Sequence, residues 1–404
     1  MSTEVEAPPQ SFCCAVTVLT GLLVNFEADE GQSVSERDVR YWIGFNKVSG
    51  IGAVRLRALL DYFGDLEPAW AAPVHDLRQA GLDSRSIANL IKARSELDLD
   101  AEMDRVKRSN VRLLCWEDAD YPANLREVYN APPVLYVRGT IDKRDEWAVA
   151  VVGTRKASVY GKEAARMIST GLAQAGVTVV SGLAAGIDTV AHRACLDAGG
   201  RTIAVLGCGV DVIYPSRNRG LAAEVVERGA LVSEYAMGTR PEARNFPPRN
   251  RIISGLTLGT VVVEADYASG ARITANFAAE QGREVFAVPG SVFARGCRGT
   301  NQLIQQGAKM VCRVTDVLEE LNLTMVSEQA KARAVIPENK TEETLLTHLS
   351  GEPTHVDELQ RAVRLPIAQV SSTLALMELK GQVRQVGGMN YVIAREEGIE
   401  YIIE

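Results

Sequence analysis

Between Asn245 and Leu256 the chain sets Phe246, Arg249, Asn250 and Arg251 around two prolines, Pro247 and Pro248. Guanidinium groups on either side of an asparagine suit phosphate oxygens, because each offers a planar fork of N–H donors and the amide bridges neighbours. The aromatic ring beside them is placed to stack on an unpaired base. No acid stands within these twelve residues to neutralise the arginines. The prolines predict a stiff, extended loop that runs into an apolar segment, which lowers the ordering cost of binding.

Three further segments carry groups of the same kind. Gly153-Thr154-Arg155 follows the apolar run 148–152, where small residues let the backbone approach an anion while Arg155 reaches it. Ser181, Gly182 and Gly186 belong to a strand end and helix start that predict an anion cradle of N–H groups and helix dipole. Arg217, Asn218 and Arg219 extend a basic rim, and Ser269 with Gly270 add a last loop. Asp188 and His192 stand four apart, an acid–base spacing, yet no nucleophile neighbours them; the structural reading, with Asp188 capping a helix, is preferred. Glu234 and Glu264 follow strands without metal-ligand companions. Cys208 lies between glycines, with nothing beside it to lower its pKa. No catalytic group, metal site or cofactor motif is expected. Gly-Thr-Arg is not the GxGxxG of a dinucleotide site, and the ribose-binding acid after the next strand is not evident.

Scaffolding for these loops is legible in the apolar pattern. Runs at 148–152, 177–180, 202–206, 231–232, 260–263 and 284–288 predict buried strands, with helices over Lys162 to Gln174 and Thr189 to Ala198 between the first three. Strand–helix alternation with near-continuous apolar strands predicts an α/β fold, a doubly wound parallel sheet. Ligands of such sheets bind beyond the carboxyl ends of the strands, where the glycine-rich loops fall. Ahead of the sheet, Val48-Ser49-Gly50-Ile51-Gly52 between helical patterns reads as a helix-hairpin-helix, with a degenerate copy at Ala80-Gly81-Leu82. Such a unit either holds a phosphate at its turn or serves packing and protein contacts. After a polar linker, three helices (341–349, 356–363, 366–379) and a hairpin (382–393) turning at Gly387-Gly388 read as a winged helix. Read through to Lys380, its third helix carries one base, Lys380, and one acid, Glu378, so protein contact or capping is at least as good a role as reading DNA.

The expected boundaries are a tail at 1–38, a helical domain at 39–108, the sheet domain at 109–323, a linker at 324–339, the winged helix at 340–396 and a tail at 397–404. The 404 residues carry a net charge of −7, which argues against a generally DNA-coating protein. Residues 240–313, however, hold ten Arg/Lys against five Asp/Glu, which predicts one local polyanion site in an acidic chain. Seven cysteines, an odd number without a CxxC pair, predict a reducing cytoplasm. The apolar stretch from Phe12 to Phe26 is preceded by Glu4 and Glu6 and is too short to span a bilayer. It reads as a tail or an extra helix, and no membrane partner is expected.

Taken together these motifs resemble the DprA/Smf family. Its likeness runs from about Arg40 to Ile393 and is densest from Tyr121-Pro122, through Pro133-Val134-Leu135-Tyr136, to Gly307-Ala308. The segment 181–192 (SGLAAGIDTVAH), the segment 246–256 (FPPRNRIISGL) and Val285-Phe286-Ala287-Val288-Pro289-Gly290 are each close to a family signature. The resemblance implies an extended Rossmann-like core that binds single-stranded DNA, dimerises and recruits the RecA recombinase. It also implies phosphate binding by Arg155, Arg217, Arg219, Arg249 and Arg251, in natural transformation or homologous recombination. Thr154 stands where the family usually has Ser, Ala271-Arg272 where Ser-Leu is frequent, and Cys297 where Ser is common. The competing expectation is a phosphoribohydrolase-like nucleotide enzyme on the same core. Its Pro-Gly-Gly lead is missing before Gly259-Thr260, and Glu264 falls one residue too late.

Overall fold

The computed structural model describes residues 38–323, 340–350, 353–379 and 383–393. The stretch Phe12 to Phe26, the linker 324–339 and the tail 397–404 lie outside the described residues. Among the described residues six helices come first: α1 (Val39–Lys47), α2 (Ala53–Phe63), α3 (Leu66–Ala71), α4 (Val74–Gln79), α5 (Ser84–Glu96) and α6 (Leu99–Arg108). Asp83 and Asp98 cap α5 and α6 by accepting the N–H groups of Ser86 and Ala101. Gly50 and Gly81 sit at positive φ in the α1–α2 and α4–α5 turns, the two expected helical hairpins.

Next come β1 (Arg112–Cys115), α7 (Ala123–Arg126), β2 (Val134–Gly139), β3 (Ala148–Val152), α8 (Val159–Gln174), β4 (Thr178–Ser181), α9 (Ile187–Asp197) and β5 (Thr202–Val205). They are followed by α10 (Arg219–Arg228), β6 (Ala230–Ser233), α11 (Phe246–Gly255), β7 (Gly259–Val262), α12 (Gly270–Glu280), β8 (Glu284–Ala287), α13 (Arg298–Gln305), β9 (Lys309–Met310) and α14 (Thr315–Glu320). The nine strands form one sheet in the order β1-β2-β6-β5-β4-β3-β7-β8-β9. From β6 to β9 every pairing is parallel. Alternate residues explain the two layers: Val149, Val151, Val179 and Val261 pack with α8 and α9, while Ala150, Val152, Val180 and Val262 pack with α11 and α12.

At one edge the sheet departs from the parallel expectation. β1 pairs antiparallel with β2, and β2 antiparallel with β6. The β1–β2 connection holds only the four-residue α7, too little for a crossover helix to bring β2 back parallel. This edge serves two cores: Leu135 and Val137 face the sheet's interior, and Val134 and Tyr136 face the first six helices.

The last region comprises α15 (Lys340–His348), β10 (Thr354–His355), α16 (Val356–Val363), α17 (Ile367–Leu379), β11 (Val383–Gln385) and β12 (Asn390–Ile393), with its own core around Leu345, Leu359, Leu374 and Tyr391. Its sheet runs β10-β12-β11, and Gly387 and Gly388 make the hairpin turn at positive φ. The strand at 354–355 was not expected from sequence. None of the described helices is long and apolar enough to cross a membrane.

Beneath the sheet's amino end, buried Asp145 accepts from Arg201 Nε at 2.7 Å, Thr178 Oγ1 at 2.9 Å and the Asp142 N–H at 2.9 Å. Replacing it takes the nearest carboxylate from a guanidinium whose side chain is only 14% exposed and leaves it Asp142, at 3.8 Å. Asp145→Ala is expected to lower unfolding free energy by about 3–5 kcal/mol, the range for breaking a buried ion pair, read from urea midpoints.

Candidate nucleic-acid interface

Strand β3 is the switch point of the sheet, since β4 lies on one side of it and β7 on the other. Crevices open at such points. A cavity of about 620 Å³ is found here, walled by Thr154, Arg155 and Lys156 after β3 and by Ser269, Gly270, Ala271, Ile273 and Thr274 at the start of α12. Phe246, Arg249, Asn250 and Ile253 of α11 line its floor, and Tyr214 and Pro241 stand at the mouth. Arg155 and Lys156 are exposed, so both cations face solvent at the rim.

Buried to 4% exposure, Arg249 plays a different part. Its Nη1 donates to the Gly182 carbonyl at 2.9 Å and also to the Val205 carbonyl, tying the ends of β4 and β5. Its charge opposes buried Asp188, while burial pulls its pKa down to about 10, still a cation at neutral pH. Burial raises the pKa of Asp188, against that cation and the N–H groups it accepts. The close approach needs Gly182: a Cβ there would stand 2.5 Å from Arg249 Nη1. Gly186, at φ +86, packs against the Thr154 carbonyl with no room for a Cβ.

Several expectations change in this light. Residues 246–255 form a helix rather than an extended loop, because Pro247 and Pro248 occupy its first turn, where no N–H is required and φ is already helical. Winding the segment separates its arginines. Arg251 points away from the cavity to Glu234 at 2.6 Å, an acid supplied from the end of β6 and invisible within the segment itself. The anticipated N–H cradle after β4 is filled from within, since Asp188 accepts from Gly182 N at 3.2 Å and Ala184 N at 3.3 Å. Ser181 is buried and donates to the Val151 carbonyl at 2.7 Å. Asn218 is buried and donates to the Leu183 carbonyl at 2.8 Å, holding Leu183 at φ +55. Arg217 and Arg219 are exposed beside it, outside the cavity lining.

Thus Thr154, Arg155, Phe246, Arg249, Asn250, Ser269 and Gly270 come together, and Ser181, Gly182, Gly186, Arg217, Asn218, Arg219 and Arg251 do not line the cavity. Lys156 and Tyr214 were missed; Lys156 directly follows Arg155 and was the more legible of the two. Phe246 lies 5.7 Å from the Tyr214 ring centroid, with the Arg155 guanidinium 5.5 Å from its own centroid. Ser269 caps α12. Glu264 accepts from Ser158 N at 2.9 Å and Oγ at 3.1 Å, a structural engagement. His192 is buried, with Nδ1 2.7 Å from Thr202 Oγ1. Cys208 donates to the Val212 carbonyl, and burial pushes its thiol up to about 11. Among the described residues no group of His, Cys, Asp and Glu is placed to hold a metal.

Comparison with known proteins agrees with this architecture. The family described as DNA recombination-mediator protein A matches residues 112–322, and a DprA winged helix domain matches 329–389. Protein Smf of Synechocystis is 35% identical over 87% of this chain and 98% of its own length. Protein Smf of Escherichia coli is 38% identical over 77% of this chain and 85% of its own. The X-ray structure of DNA processing protein A from Streptococcus pneumoniae superposes with a TM-score of 0.63 and 37% identity, covering 70% of this chain and 98% of that one.

Two buried groups generate stability predictions. Arg249→Ala leaves Asp188 buried without its cation and is expected to cost about 3–5 kcal/mol in urea unfolding, whereas Arg155→Ala, at an exposed site, changes stability by less than about 0.5 kcal/mol. His192 is held neutral, its pKa lowered to about 3 by burial and then by the Arg249 charge. A depressed histidine pKa stabilises fully above the unfolded value near 6.5, and that contribution is lost as pH falls towards 3. His192→Gln is therefore expected to flatten the decline of the urea midpoint between pH 6.5 and 4; an unchanged slope would contradict the assignment.

Proposed function

The chain belongs to the DprA/Smf family of DNA-processing proteins, and on that premise we propose that the cavity beside β3 binds single-stranded DNA without catalysing a reaction on it. The carrying observation is the pairing of two exposed cations, Arg155 and Lys156, with a half-buried aromatic ring, Phe246, in one crevice. Phosphates meet the cations, and an open base meets the ring with its Tyr214 neighbour. A duplex keeps its bases stacked inside and offers the ring nothing, so single strands are favoured.

Arg249 supports this reading indirectly: it fixes the loop ends and adds positive potential from below, where a phosphate need not touch it. Asn250 reaches the Gly270 carbonyl at 3.4 Å and leaves the crevice floor polar. Arg217 and Arg219 extend the attraction along the rim. Glu234 and Glu264 are both engaged in structural contacts, which favours binding over nucleotide hydrolysis. The family resemblance extends the proposal to a homodimer that protects strands and delivers them to RecA during recombination or transformation.

Titration of a fluorescent single-stranded oligonucleotide and its duplex tests this. With four to six phosphates neutralised, log K against log[salt] is expected to fall with a slope of about −3 to −4, and Arg155→Ala to shallow it by about 0.7. Duplex binding equal to single-strand binding and indifferent to Arg155→Ala would refute the proposal. Release of a base from a mononucleotide would instead revive the enzyme.

A further inference from the structure

We propose that a strand leaving the crevice continues along the carboxyl edge of the sheet onto a second platform formed by Tyr267 of the loop after β7 and Phe293, Arg295 and Arg298 of the loop after β8. This rests on the reading of the crevice as a single-strand site. Phe293 is 91% exposed, its neighbour Val292 72% and Tyr267 55%. One exposed apolar residue needs no explanation. Here two aromatic rings sit on adjacent loops at the ligand edge of the sheet, among exposed Arg295 and Arg298.

Both loops are tied down, so the rings are displayed by ordered backbone. Arg295 Nε donates to Asp266 Oδ2 at 2.6 Å, and the Gly299 N–H donates to the Ala265 carbonyl at 2.8 Å. Asn301 and Gly290 exchange two hydrogen bonds, at 2.9 and 3.1 Å. The Phe293 N–H donates to Ser291 Oγ at 3.3 Å, and Tyr160 donates its hydroxyl proton to the Pro289 carbonyl at 2.6 Å. Fixing the loops in advance reduces the ordering cost of binding.

Charge and continuity select the occupant. Asp266 is shared between Arg295, bonded to it, and Arg298, whose charge also acts on it, leaving an excess of positive charge. The nearby carboxylate of Glu264 is turned inward between Gly161 and Gly296. Ser269 belongs to the crevice wall, and its N–H donates to the Asp266 carbonyl at 3.0 Å, so one short loop serves both sites. Neighbouring strands lie about 4.8 Å apart, which puts the β8 loop roughly 10 Å along the edge from β3. Cations interleaved with rings are the pattern by which single strands are held without sequence preference.

The test compares the full chain with Tyr267→Ala/Phe293→Ala, using thymidine oligonucleotides of about four and about twelve nucleotides, the span of single-strand site sizes. The short oligonucleotide is expected to bind both proteins alike, and the long one to bind the double variant at least about tenfold more weakly. Arg295→Ala/Arg298→Ala is expected to shallow the salt slope for the long oligonucleotide only. If the double variant binds the long oligonucleotide as the parent does, the platform is overturned and the crevice stands; a sedimentation shift in that variant would then assign the rings to a second copy of the chain. Loss of the short oligonucleotide as well would overturn it by placing the rings in the crevice. Failure of the parent to bind either would remove the crevice reading and this one with it.

Discussion

The guanidinium of Arg249 is the contact on which the crevice depends. It lies under the floor, bonded to carbonyls at the ends of two adjacent parallel strands and facing a buried carboxylate. Parallel strands end with unpaired carbonyls, and their connecting loops need a reason to hold one shape. Here one guanidinium nitrogen, Arg249 Nη1, satisfies both carbonyls, and Asp188 satisfies N–H groups of the following loop. Gly182 is small enough to admit the fork, and Gly186 lets the β4–α9 loop lie against the β3 loop that bears Arg155.

Much of this arrangement was legible in the sequence because the signals were periodic or local. Six strands of the parallel core appeared as apolar runs, and the helices between them as amphipathic stretches. β1 and β2 were not among those runs: Arg112–Cys115 is only four residues long and begins on a charge, and the two strands pair across some twenty residues rather than through a tight turn. The two-residue strands at 309–310 and 354–355 are too short for any period to show. The proline pair misled: read as loop stiffeners, Pro247 and Pro248 instead open α11. The helical reading would have spread residues 249, 250 and 251 around an axis and kept Arg251 from sharing a ligand with Arg249 and Asn250. Arg251 further required knowledge of Glu234, a partner seventeen residues away that only the folded sheet brings near.

Glu264 performs for the outer half of the edge what Arg249 performs for the inner half. Its backbone carbonyl accepts the Thr154 N–H at 2.7 Å, and its carboxylate accepts from Ser158 at the cap of α8. Gly161 and Gly296 close around that carboxylate without side chains, so the β3 loop, α8 and the β8 loop meet on one residue. An acid after a strand therefore acts here as a fastener, and its position beside a basic crevice offsets little of that crevice's charge because its own is spent on N–H and O–H donors.

This sorting of charge explains how a chain of net charge −7 can present a locally basic crevice. The acids at the carboxyl edge are either buried with partners, as Asp188 and Glu264 are, or paired, as Asp266 and Glu234 are. The cations left facing solvent, Arg155, Lys156, Arg217, Arg219 and Arg298, then set the sign of the local field. By contrast α17, the helix a winged-helix domain usually lays in a groove, carries Glu378 and no base among its described residues. Affinity for a polyanion scales with the phosphates neutralised, so the exposed cations of the sheet edge suit such a ligand better than the described residues of this helix do.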